Sequence, residues 1–390
     1  MRRSLRDASG DGDSSEVYSL IMRGANVNET DAEGETALTL AVRNGHSAVV
    51  QLLLQVHAEV NHVTRQGSTA LTLAADYGHA AVVQELLRAH AEVDHVNKHG
   101  VTALLSAAYI GHSELVQELL QAHAQVDRAN KHGITALMWA AHNGHSAVVQ
   151  QLLQAHAQVD HANENRETAL MWAARKGHST VVEYLLRAHA YVDHANNDEV
   201  TALITAALDG HSTVVRQLLQ AHAQVDRANN QGITALMWAA YKGHTTVVQE
   251  LLRAQAQVDR ANNQGNTALT WAAWKGHSEV VHQLLKAGAE ADLVTRKGPA
   301  ALILAAQGGH SAVVNDLLEY GASVDLRNRE GSTALVIAAK EGHKDVARML
   351  INAGADPRLK NNAGECALSL VPGDSQLATE LRLVEQKARP

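Results

Sequence analysis

Phenylalanine is absent from this chain, and other aromatics are scarce, with five Trp and seven Tyr in 390 residues. A single deep core would have few large side chains to build from. Ala, Val and Leu must fill the interior, which suits thin layers of closely packed helices. Cysteine occurs once, as Cys366, which excludes an intramolecular disulfide and fits a reducing, intracellular compartment. No apolar run approaches the roughly 18 residues of a membrane-spanning helix, and the N-terminus lacks the apolar stretch of a signal peptide. A dominant charge is missing too. The formal net charge is −8 with both signs spread along the chain, so no nucleic-acid footprint stands out. Arg2, Arg3 and Arg6 form a short basic cluster, too small for a targeting signal. No Gly-x-Ser-x-Gly, phosphate loop or dinucleotide fingerprint occurs, so neither catalysis nor a cofactor is expected.

What the chain does have is self-similarity. Glycines stand at 34, 67, 100, 133, 232, 265, 298, 331 and 364, spaced by 33 residues or a multiple of it, with Arg166 and Glu199 in the two missing slots. Gly-His pairs begin at Gly45, Gly78, Gly111, Gly144, Gly177, Gly210, Gly243, Gly276, Gly309 and Gly342 with the same period and no missing member. Residues 133–165 show the physics of one unit. Thr135 is placed to cap a first helix by accepting a hydrogen bond from an orphan amide. Leu137, Ala140 and Ala141 share one face at helical spacing. Gly144 stops that helix, because Gly enters the left-handed region cheaply. Ser146 opens a second helix with Val148, Val149, Leu152 and Leu153 on its apolar face. An extended arm leads to the next unit. Two short helices and an arm cannot bury their apolar faces alone, so neighbours must stack on them.

The Thr-Ala-Leu starts (Thr36-Ala37-Leu38 through Thr333-Ala334-Leu335, with Ala300-Ala301-Leu302 the exception), the Gly-His pairs and the Val-Val-x-x-Leu-Leu helices resemble the ankyrin-repeat family over nearly the whole chain. The resemblance implies an all-α solenoid of helix-turn-helix layers joined by β-hairpin or extended arms. Ten repeats are expected over 34–363, starting at 34, 67, 100, 133, 166, 199, 232, 265, 298 and 331. An N-terminal capping repeat is expected over 1–33 and a C-terminal cap and tail over 364–390, with no second domain. In the caps, Ser4 to Ser9 and Ser14 to Arg23 read as helices. A short helix from Ala367 stops before Pro372, and Leu377, Leu381 and Leu383 mark a last one.

The chain departs from the family pattern in three ways. The family's Thr-Pro-Leu-His becomes Thr-Ala-Leu followed by Thr, Leu, Met, Ile or Val, which removes a hydrogen-bonding His and implies looser loops. The family's Gly after the second helix becomes His57, His90, His123, His156, His189, His222 or Gln255. If that slot stays left-handed, each carries backbone strain. Arg166 and Glu199 read either as drift at exposed tips or as a locally altered arm.

Twenty-four histidines raise the question of metal. Equivalent residues in adjacent repeats stand about 8–10 Å apart, whereas zinc needs ligand nitrogens at about 2 Å. No metal site is therefore expected. Buried neutral histidines that accept hydrogen bonds would lose stability between about pH 7.5 and 5.5. Cys366 takes the slot of the usual Thr in the C-terminal cap; a helix N-terminus favours a thiolate, but no His or Asn partner is evident and a small cap residue is the simpler reading.

The resemblance also implies binding through arm tips and through the exposed edge of the first helices, which line a concave groove. The array serves as its own alignment here. Core slots repeat, while the two residues before each Gly-His pair vary. They include Tyr77, Tyr109, Arg175-Lys176, Tyr241-Lys242 and Trp274-Lys275. Trp139, Trp172, Trp238 and Trp271 lie one helical turn earlier on the same face. With the variable pairs that follow them, these tryptophans form an aromatic and basic stripe over about 133 to 297, and such side chains are frequent interface anchors. The four tryptophans also fit as packing between layers, as Leu40 and Leu73 do in the same slot; both readings stay open. Asn130, Asn163, Asn196-Asn197, Asn229-Asn230 and Asn262-Asn263 suit tight turns at the tips.

The expected function is a non-enzymatic interaction scaffold that docks a protein partner, an acidic or mixed peptide or a folded domain, on this groove. The alternatives are a regulator that masks a partner's active site or localisation signal, and a secreted bacterial or viral effector that mimics a host scaffold. A monomer in the cytoplasm is expected, with delivery into a host cell as the alternative, and without nucleic acid, membrane insertion or metal.

Overall fold

In residues 133–165 the backbone follows the expected punctuation. Thr135 is extended, and its hydroxyl accepts from the Met138 amide at 3.4 Å. The first helix, Ala136–Asn143, ends at Gly144, which is left-handed at φ 76°. The second helix is Ser146–Gln154. Past it, His156 is left-handed at φ 62°, and the amides of His156 and Ala157 return to the carbonyls of Leu153 and Leu152. This is a Schellman-type stop made without glycine. Leu137, Met138, Ala140, Ala141, Val148, Val149 and Leu152 are buried, while Leu153 is only half-buried.

The computed structural model describes residues 3–294, 298, 300–371 and 376–387. Arg2 of the basic cluster, Pro372 as a helix stop and the last three residues of the tail lie outside them. Twenty-four helices occur among the described residues. Two compact units divide the chain, Met1–His194 and Ala195–Pro390. Within each, first helices pack on first helices of the next repeat, and second helices on second. The only strand pairings among the described residues are isolated bridges, Ala195 with Thr201 and Ala228 with Thr234. The arms are therefore tight turns. Each is closed locally, as when the Asn130 amide donates to the Ile134 carbonyl at 3.0 Å while Asn130 Oδ1 accepts from the amides of His132 and Ile134.

Four kinds of polar contact tie successive repeats together. The Gly-His imidazole reaches a carbonyl 36 residues earlier, as His145 to Tyr109 at 3.1 Å and His277 to Tyr241 at 3.1 Å. His62, His95, His161 and His194 each reach the carbonyl 28 residues earlier, the first at 2.8 Å. A carboxylate or amide oxygen, from Asn28 and Asn61 to Asp325, caps the amide 31 residues later. Neighbouring arm tips within a unit also share backbone bonds, such as Lys98 to Gln66 at 3.2 Å.

These contacts correct several expectations. A carbonyl can only accept, so each imidazole Nε2 bonded to one must donate. The premise that the Gly-His histidines accept hydrogen bonds is overturned, and a proton added at Nδ1 leaves the Nε2 donor in place. The lost family His is partly replaced. Thr39, Thr72 and Thr270 accept from the amides of Thr36, Thr69 and Thr267 at 2.8, 2.9 and 2.8 Å. Met138, Met171, Ile204 and Met237 instead bury apolar volume. Arg166 and Glu199 keep left-handed φ values of 59° and 58°. The Arg166 amide closes the same turn to Asn163 that Gly133 closes to Asn130, so the local geometry of the arm is not altered. In the N-terminal cap the helices are Leu5–Gly10 and Ser14–Met22, with Ser4 as the cap rather than the first helical residue. In the last helix, Gln376–Lys387, Leu377 and Leu381 are buried but Leu383 is exposed and does not share their face.

The left-handed slots give a stability test. A Cβ on Gly144 would lie 2.7 Å from the His178 ring, in addition to the unfavourable φ. Gly144→Ala is expected to cost at least about 2 kcal/mol. His156→Gly relieves about 1–2 kcal/mol of left-handed strain and adds about 0.5–1 kcal/mol of unfolded-state entropy. A net gain of up to about 1 kcal/mol is expected. Denaturant midpoints of the two variants check both signs.

Candidate functional site

The variable pairs end the first helices, where the chain must turn at the glycine of each Gly-His pair, so their side chains stand beside the arm tips. In the unit Met1–His194 they gather around Trp139. The Tyr109 ring meets it edge-on at 5.0 Å, Trp172 at 5.4 Å and His142 at 5.9 Å. His142 in turn meets the edge of Trp172 at 5.2 Å. Such pairs add to burial through the ring quadrupoles. Trp172 is buried, Trp139 half-buried, and Tyr109 exposed. Tyr77 is exposed as well and stacks on His79 at 6.2 Å.

Glu167 anchors this cluster. One carboxylate oxygen accepts from Trp172 Nε1 at 2.9 Å and the other from Arg175 Nη2 at 2.8 Å. Burial raises the Glu167 carboxyl, but the Trp172 bond and the Arg175 charge outweigh it and hold it below its ordinary value. His142 is lowered, by burial first and then by the charges of Lys176, His178 and Arg175. Nearby, burial raises Asp76 against an opposing hydrogen bond from Ser106. These two residues border a cleft of about 340 Å³ with Tyr109 and Trp139.

The unit Ala195–Pro390 builds its own cluster on helices Ala235–Lys242 and Ala268–Lys275. Trp238 lies 5.6 Å from Trp271 and 5.8 Å from Tyr241. Tyr241 packs against Trp271 at 5.3 Å and Trp274 at 6.2 Å. Lys275 Nζ stands 4.1 Å above the Trp274 ring and 4.8 Å from that of Tyr241, with Lys242 Nζ at 5.8 Å from Tyr241. The four aromatics line a cleft of about 590 Å³ whose other wall is the arm tips, including Asn230, Gln231, Asn263 and Gln264.

The expected residues thus form local groups within each unit. Thr205, buried, occupies the tryptophan slot in the repeat between Trp172 and Trp238 and binds the Ala202 carbonyl. Trp172 packs as a core residue, whereas Trp139, Trp238 and Trp271 are half-buried and pack on neighbours while keeping part of their surface open. The sequence reading missed Glu167. A signal existed, because Glu35 and Glu167 coincide with Arg43 and Arg175 eight residues on, and both pairs form. It also missed a cleft of about 1040 Å³ on the unit Ala195–Pro390, floored by Ile303, Leu304 and Ile337 and rimmed by Arg327 and Lys340. The first Asn of each arm spends its side chain on its own turn, while Asn263 Nδ2 binds the Asn230 carbonyl of the preceding arm at 3.0 Å. Among the described residues, no three His, Cys, Asp or Glu side chains are placed to hold a metal ion, and no helix is long and apolar enough to cross a membrane.

A family model described as "Ankyrin repeats (3 copies)" matches residues 5–97, 73–162, 148–229, 213–295 and 276–361. Among solved structures, the chain is similar to the human ASB11 ankyrin repeat domain, with 30% identity and a TM-score of 0.51, over 57% of this chain and 99% of that one. No curated protein matches the chain.

The lowered His142 gives a pH test. Because its folded value lies below the ordinary 6.5, the unfolded chain takes up this proton first. The stability it contributes is complete above that ordinary value and is lost as pH falls from there through the lower folded value. Between about pH 7.5 and 5.5 the melting midpoint of His142→Gln is expected to fall less than that of the wild type. Equal falls would refute this assignment.

Proposed function

Because the chain belongs to the ankyrin-repeat family, whose repeats generally serve as protein–protein interaction modules, we propose that it binds a protein partner on the ends of its first helices and the adjoining arm tips. The observation that carries this reading is the exposure of large aromatics at one repeated slot and its neighbour. Trp274, Tyr109 and Tyr77 are 43%, 52% and 51% exposed, in a chain that has few aromatics. Folding gains nothing from leaving such surface in water, and aromatic rings beside Lys and Arg are common anchors at interfaces. The proposed contact surfaces are taken unit by unit: Tyr77, Tyr109, Trp139, Arg175 and Lys176, backed by the buried Trp172, in one, and Trp238, Tyr241, Lys242, Trp271, Trp274 and Lys275 in the other. The partner is held by contacts, with no catalytic step and no cofactor.

Affinity capture with the wild type beside a Tyr241→Ala/Lys242→Ala/Trp274→Ala/Lys275→Ala variant tests the reading, with a melting curve to establish that the variant is folded. Recovery of the specific partner is expected to fall at least about tenfold, the loss typical of removing one interface anchor. Equal recovery of the same partners by both proteins would show that the contact surface lies elsewhere.

A further inference from the structure

The repeats differ in how they treat the cations at the ends of their first helices. Arg43 pairs with Glu35, and Arg175 pairs with Glu167 at 2.8 Å. Both acids stand in the slot just before the helix-capping Thr, so those repeats neutralise their own charge. In the two repeats that carry the aromatic cluster of the unit Ala195–Pro390, the same slot holds Ile233 and Asn266. Lys242 and Lys275 are exposed there, and among the described residues neither has a carboxylate partner. The rings of Trp274 and Tyr241 fix the Lys275 ammonium over their faces without cancelling its charge. No carboxylate lines the adjoining cleft, although the chain as a whole carries a net charge of −8.

From this contrast we infer that the cleft receives an extended acidic segment of a partner protein. An apolar or aromatic side chain of that segment enters among Trp238, Tyr241, Trp271 and Trp274, and its flanking carboxylates meet Lys242 and Lys275. The inference rests on the proposed interaction surface and gives it a ligand chemistry. The Gln231 and Gln264 side chains at the tips bring donors and acceptors suited to an extended main chain, and the cleft of about 590 Å³ has room for one or two side chains rather than a folded domain. A basic partner would meet two ammonium groups already in place. A single-stranded nucleic acid shares the taste for rings and cations. It needs a basic track along its backbone, however, and two lysines in an acidic protein do not make one.

The test selects twelve-residue peptides from a randomised library against the full-length protein, then measures recovered peptides by fluorescence anisotropy. Recovered peptides are expected to carry an aromatic or large apolar residue flanked by Asp or Glu. They are expected to bind on the order of tenfold more weakly to Lys242→Glu/Lys275→Glu, and to weaken as salt is raised. Lys242→Gln/Lys275→Gln, a milder change at two exposed sites, should lie between wild type and the reversed variant. Peptides that lose binding in Trp274→Ala but are indifferent to both lysine variants would overturn the acidic inference and leave the surface standing. Peptides indifferent to all three variants, or an empty selection, would overturn both. An oligothymidylate probe that binds in a lysine-dependent way where acidic peptides do not would overturn the peptide reading in favour of nucleic acid.

Discussion

The stack depends on one contact made between neighbouring repeats. In most repeats, as at Gly45, Gly144 and Gly243, the glycine after the first helix is left-handed, and the imidazole of the next repeat's Gly-His pair comes to 2.8, 2.7 and 2.7 Å from where a Cβ would be. Most of these imidazoles, such as His79, His145 and His244, donate to a carbonyl at the end of that earlier helix. One residue is therefore constrained twice, by its φ and by its neighbour's ring, and the ring is fixed by a carbonyl that only this glycine's turn presents. Neither partner can change alone. Gly342, with nothing within 4 Å of an added Cβ, keeps only the demand of its φ of 79°.

The other left-handed slots show what happens when one of the two constraints is relaxed. At the arm turn a Cβ would meet the next arm, at 3.0 Å for Gly34, 3.1 Å for Gly133 and 2.8 Å for Gly232, and two repeats carry Arg166 and Glu199 there. After the second helix, Gly24, Gly288, Gly321 and Gly354 have nothing within 4 Å of an added Cβ. In that slot only the φ penalty remains, and seven repeats accept it with six histidines and Gln255, at φ values from 61° to 65°. The number of exceptions at each slot follows the space available, so the pattern of substitutions along the chain records the packing of the stack.

This ordering also explains what was legible in the sequence. Thr135, Gly144 and Val148 report helix ends and buried faces through local chemistry, and the period multiplies that signal until the fold follows from it. The arms were only half legible. Asn130 announces a turn, but nothing in the residues distinguishes a closed turn from a paired hairpin, and the backbone makes the turn. The candidate site was legible as a set of variable positions and not as an arrangement. Trp172 is buried while Trp271, in the same slot of its own repeat, is half-buried; Glu167 accepts from the Trp172 indole Nε1, and Asn266 stands in the corresponding place before the Trp271 helix. Such pairings span five or eight residues and run from the arm into the helix, beyond the reach of helical periodicity.

On the proposed reading of the surface, the slot before the capping Thr couples stability to recognition. It lies at the base of the arm, beside the end of its own first helix, eight residues away in sequence. Glu there turns a helix-end Arg inward into an ion pair and draws on the neighbouring ring. An apolar or amide residue there leaves the helix-end rings and lysines to solvent. Because the stacking contact lies on the Gly-His turn and not in this slot, the substitution changes the surface without disturbing the stack. A solenoid of near-copies can diversify one repeat at a time in this way, with each repeat's own residue at this slot deciding whether its polar groups are spent on the fold or left available to a partner.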